Sequence, residues 1–93
     1  MAVVLDMSNE DHQEAVEKIL KIYGFKEFGR SIFESTRIGD TTLTRLKREI
    51  DKVTDSYDLV HFYQYPMEGT LVVTSLTKKR WHRRIIRQEE TNA

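Results

Sequence analysis

Two stretches of helical period, separated by short extended runs, do most to limit what this chain can fold into. Val16, Ile19, Leu20 and Tyr23 recur at i, i+3, i+4 and i+7, so one face of a helix is apolar. Leu43, Leu46, Ile50 and Val53 repeat the pattern, while Arg45, Lys47, Arg48 and Lys52 are left for water. Neither helix can bury its stripe alone, and the remaining apolar residues lie in segments too short to be helices. Ala2-Val3-Val4-Leu5 is continuously apolar and closes on Asp6, as a short buried strand would. Ser8 is suited to cap the first helix, with Asp11 at the third helical position as an acidic variant of the capping box. That helix should run to about Tyr23 and stop at Gly24, in the place of a C′ glycine.

Phe25 to Ser35 reads as extended, with a turn or bulge at Gly29 between two short strands. Ser31 to Ser35 alternates. Gly39-Asp40-Thr41 starts the second helix and Thr54-Asp55-Ser56 ends it. Tyr57 to Tyr65 is rich in aromatic and β-branched residues and is a strand. Pro66 to Gly69 is a turn, and Thr70 to Leu76 a further strand. The order is β-α-β-β-α-β-β. Its first six elements predict an α+β, ferredoxin-like βαββαβ domain over residues 1–77, an antiparallel sheet with both helices on one face. The additional C-terminal β-strand can pair within its own sheet or with a second protomer.

Residues 1–77 hold nine Lys/Arg against thirteen Asp/Glu. The segment 78–93 begins instead with a basic decamer. Lys78, Lys79, Arg80, Arg83, Arg84 and Arg87 are joined there by Trp81, with no acid before Glu89-Glu90. This run suits contact with nucleic acid phosphates, and its plain alternative is a solvated terminal face. The absence of cysteine removes disulfides and thiolate metal sites. No apolar run approaches a membrane span, and the first residues lack the signal-peptide pattern, so a cytoplasmic protein with no membrane partner is expected.

Asp6 is the candidate for chemistry. A carboxylate where a strand meets a helix start can ligate Mg²⁺ or Mn²⁺, which prefer oxygen. A single carboxylate holds such an ion poorly, and a two-fold dimer would supply a second copy of Asp6. The metal would then activate water for phosphodiester cleavage. The alternative is that Asp6 steadies the helix start through its dipole. His12, His61 and His82 match no metal spacing and read as structural or solvated, with His12 exposed in the first helical turn. Phe62, Tyr63 and Tyr65 can stack on bases, but core and dimer packing suit them better.

Taken in order, these segments resemble a known family. An apolar strand ends in Asp6-Met7-Ser8, a helix ends in Tyr23-Gly24-Phe25, Ser31-Ile32-Phe33-Glu34 follows, and a helix carries Leu43 and Leu46-Lys47. Over residues 2–76 this is similar to CRISPR-associated protein 2, the small subunit of the spacer-acquisition complex. The resemblance implies a ferredoxin-like homodimer. Asp6 would match the strand-end aspartate, the proposed metal ligand of an Mg²⁺-dependent endonuclease acting on DNA or RNA. Ser31 and Phe33 would match the third-strand motif. The implied partners are the CRISPR-associated integrase and duplex DNA or RNA, with this dimer as the bridging scaffold. Leu5 stands where members usually have tyrosine, residues 11–15 lack the usual arginines, and Glu27 replaces a common basic residue. Other readings are a toxin-like ribonuclease of the virulence-associated protein D type and a non-catalytic ferredoxin-like assembly module.

Overall fold

A computed structural model describes residues 1–88; the acidic pair Glu89-Glu90 lies outside the described residues. The chain forms β1 (Ala2–Asp6), α1 (Glu10–Ile22), β2 (Lys26–Gly29), β3 (Ile32–Glu34), α2 (Asp40–Lys52), β4 (Leu59–Met67), β5 (Thr70–Thr77) and β6 (Arg80–Arg87). They build one sheet of order β2-β3-β1-β4-β5-β6 in which every neighbouring pair is antiparallel. The first four strands take the order β2-β3-β1-β4, which is the ferredoxin-like arrangement. Strand β1 needs both neighbours because its run is apolar throughout. Val3 and Leu5 face α1 and α2 and are buried, whereas Ala2, Val4 and Asp6 lie on the other side. Val16 and Leu20 of α1 and Leu46 and Ile50 of α2 close over Val3, Phe33, Val60, Phe62 and Leu76.

Helix α1 begins one residue later than Ser8 would have it. Asn9 is the N-cap, and its side chain accepts from the His12 N–H at 2.8 Å. Ser8 is unavailable because its N–H and hydroxyl both donate to the Asp58 carboxylate. At the other end Gly24 has φ +88°, donates to the Lys21 carbonyl, and lets Phe25 N–H reach the Leu20 carbonyl at 3.0 Å. This is a Schellman closure, and the buried Phe25 and Leu20 side chains complete it. An alanine at Gly24 meets no atom within 4 Å, so only the left-handed backbone resists it. Gly24→Ala should therefore cost about 1 kcal/mol, read as a lower urea midpoint with unchanged slope. An unchanged midpoint would contradict this account.

Strand β4 starts at Leu59, two residues after Tyr57, because residues 55–58 form a turn. Asp58 N–H bonds to the Asp55 carbonyl, and Tyr57 N–H to the Asp55 carboxylate. The strand also continues through Pro66 to Met67, so the expected turn at 66–69 shortens to Glu68-Gly69. The register shifts between Gln64 and Met67, and an irregularity of this kind accommodates a proline that cannot donate to the ladder.

The expected additional strand is present as β5, and a second, β6, follows it. Lys78 and Lys79 have φ of 50° and 63° and form the two-residue loop between paired Thr77 and Arg80. Lys79 anchors this loop. Its ammonium donates to the Asp51 and Thr54 carbonyls at the end of α2 and lies 3.2 Å from the Asp51 carboxylate. A cation there suits the negative end of the helix dipole. Trp81 packs on the core, its ring 5.8 Å from that of Phe62 and 5.0 Å below the Lys47 ammonium.

Candidate functional site

The helices cover one side of the sheet, and the other side is open. Register places Asp6 beside Leu59, Val4 beside His61, and Ala2 beside Tyr63, all on the open side. His61 in turn pairs with Ser75 and Ser75 with His82, while Tyr63, Val73 and Arg84 form the next row. His61 Nδ1 lies 2.7 Å from the Ser75 hydroxyl, which fixes the ring. Asp6 is exposed at the end of β1. Among the described residues its carboxylate makes no hydrogen bond and no ion pair. Of the third-strand motif, Phe33 is buried in the core. Ser31 takes φ +61° in the turn before β3, and its carbonyl accepts from the Leu5 N–H.

A second constellation was not legible as a group in the sequence. Asp58 is fully buried at the entrance to β4. One carboxylate oxygen accepts from the Ser8 N–H and the Ser8 hydroxyl, both at 2.8 Å. The other accepts from the Asp55 N–H at 2.8 Å and faces His12 Nδ1 at 2.7 Å. Burial by itself would raise the Asp58 pKa. The Ser8 and Asp55 N–H groups, then the Ser8 hydroxyl and His12, outweigh it and hold the carboxyl below its usual value. An ionised Asp58 makes Nδ1 the protonated nitrogen of His12. His12 is thus half-buried and tied to the start of β4, where the sequence suggested an exposed residue. Residues 8, 12 and 58 are brought together by tertiary contact, and nothing in their spacing announces it.

His12, Asp55 and Asp58 offer ligand atoms within 4.8 Å of one another. They nevertheless suit a hard divalent cation poorly. A carboxylate has about four acceptor sites, and those of Asp58 are taken by four donors. Asp6 is the better fit for Mg²⁺, since it is an exposed oxygen ligand with nothing else to satisfy.

The basic run does not form one stripe. Strand alternation sends Trp81, Arg83 and Arg87 to the helix-covered side and Arg80, His82 and Arg84 to the open side. Lys78 is exposed in the loop, and Lys79 is occupied at the end of α2. No helix is long and apolar enough to cross a membrane among the described residues.

No curated protein and no solved structure matches the chain. A family model does, the one described as CRISPR associated protein Cas2, over residues 1–84. The matched span takes in the ferredoxin-like core, β5 and the first five residues of β6, with Asp6 at the end of β1. On that match, which covers nearly all of its length, the chain belongs to the CRISPR associated protein Cas2 family.

Proposed function

We propose that this chain serves CRISPR adaptation as a homodimeric, nucleic-acid-binding scaffold that bridges the integrase, with metal-dependent endonuclease activity at Asp6. The observation that carries the reading is the family match over residues 1–84, combined with an open sheet side ending in an unpaired Asp6. The open side offers Val4, Tyr63 and Ile86 to a second copy, and Ile86 is 43% exposed in the single chain. Two copies meeting there would bring the two Asp6 carboxylates toward one another. A bound Mg²⁺ or Mn²⁺ would lower the pKa of its water and supply the nucleophile. Asp6 itself would hold the ion. Arg80, Arg84 and Lys78 would meet phosphates on the flank of the dimer.

Sedimentation velocity should give a dimer, and the integrase of the same locus should co-purify with it. Asp6→Asn should abolish Mg²⁺-dependent cleavage of labelled DNA and RNA while leaving duplex retention in a mobility shift intact. Cleavage that survives Asp6→Asn would remove the nuclease and leave the scaffold. A monomer that retains no nucleic acid at low salt would favour the non-catalytic module instead.

A further inference from the structure

The helix-covered side of the sheet is not fully covered. Strands β4 to β6 extend beyond α2 and leave a hollow of about 610 Å³ between the first turn of that helix and the sheet. This lies within the ordinary size range of small-molecule sites. Three cations from separate parts of the chain line it: Arg37 from the loop before α2, Lys47 from α2, and Arg83 from β6. None forms an ion pair among the described residues, and Asp40 is the one acid in the lining.

Two further features point to an acceptor-rich occupant. Gly39 caps α2 without any side-chain hydrogen bond, so the first-turn N–H groups have no side-chain acceptor. Thr74 of β5 borders the same hollow and is only 4% exposed. Its hydroxyl bonds to no described residue. No buried side-chain oxygen or nitrogen among the described residues lacks a partner, so the Thr74 oxygen opens to the hollow, where the hydroxyl can donate to an occupant. The remaining walls are apolar or aromatic, from Ile38, Leu43 and Tyr65. The β4 irregularity after Gln64 brings Tyr65 to the rim, 76% exposed.

We propose that this hollow binds a phosphate monoester carried on a flat organic body, the chemistry of a nucleotide 5′-phosphate. Arg37, Lys47 and Arg83 neutralise the dianion, while the α2 first turn and the Thr74 hydroxyl donate to its oxygens. The base lies against Tyr65, as bases stack on aromatic rings. A duplex cannot enter a cavity of this size, and the site lies on the side of the sheet opposite Asp6, so it is separate from the scaffold and nuclease reading. The carried phosphate can come from a free nucleotide or from the 5′ end of a strand.

The test is a calorimetric and amide-NMR titration of the whole chain with adenosine 5′-monophosphate, inorganic phosphate and adenosine. Short oligonucleotides with 5′-phosphate and 5′-hydroxyl ends form the second arm. The monophosphate should bind more tightly than phosphate and far more tightly than adenosine, with shifts at Thr74 and Arg83. Thr74→Val and Arg37→Gln should each weaken it about tenfold or more, the effect of losing a hydrogen bond to a charged group. Asp40→Asn should tighten it. A phosphorylated oligonucleotide binding as well as the monophosphate assigns the site to strand ends, and binding of the monophosphate alone assigns it to free nucleotide. Equal affinity for adenosine and its monophosphate, unchanged binding in both Thr74→Val and Arg37→Gln, shifts confined to Asp6 and His61, or no binding of any probe would each overturn the proposal. Circular dichroism of the variants separates lost binding from lost fold.

Discussion

Asp58→Ala should lose about 3–5 kcal/mol of stability, a large share of what a domain of this size possesses. The carboxylate is fully buried and takes four donors, from Ser8, Asp55 and His12. Its removal strands those donors at the junction of β1, α1 and β4. Asp58→Asn is expected to cost nearly as much. An amide presents one acceptor oxygen, so its NH₂ would face either the Ser8 donors or the Asp55 and His12 donors. The effect is tied to pH in a definite sense. Because the folded carboxyl titrates below its ordinary value, its contribution is fully present above the unfolded pKa of about 4. It is lost as pH falls toward the lower folded value. Urea midpoints of parent and Asp58→Asn should thus differ widely at pH 7 and converge on acidification below pH 4. A gap that stays constant to pH 2 would show that the carboxylate's charge is irrelevant. Equal midpoints at pH 7 would overturn the account altogether.

Phe62→Ala is expected to cost a further 3–5 kcal/mol class of loss, for a different reason. Phe62 is fully buried in β4 at the centre of the core, so alanine leaves a cavity the strands on either side cannot close. It also holds β6. The ring lies 5.8 Å from that of Trp81, the chain's single tryptophan. Trp81 emission should therefore shift to the red in Phe62→Ala even at low denaturant, reporting a loosened β6 before global unfolding. Phe62→Leu retains most of the volume and should cost less than about 1.5 kcal/mol. If alanine at 62 lowered stability with no change in Trp81 emission, β6 would be held by its ladder to β5 alone.

The helices, their apolar stripes and the succession of elements along the chain as far as β5 were legible because each rests on local periodicity. Val16, Leu20, Leu46 and Ile50 are buried as their spacing requires. Gly24 takes the left-handed conformation its position suggested. The mistaken details share a cause. Ser8 is by local preference a fine N-cap, and it lost that role because a carboxylate fifty residues away offers two acceptor sites. Tyr57 looks like strand by composition, and the turn organised by Asp55 and Asp58 excludes it.

The basic decamer shows the same division. Its charge is a fact of composition, and the sequence alone presented it as one patch. Pairing with β5 turned it into a strand, and a period of two then sent its arginines to opposite sides of the sheet. Lys79 was further withdrawn to close α2. Asp6 stands between these cases. The sequence by itself determined that an aspartate ends the first strand, because an apolar run followed by a helix start admits little else. Only the tertiary structure decided that its carboxylate faces the open side, away from both helices. Alternation fixes which residues share a face, but the packing of α1 and α2 determines which face meets water.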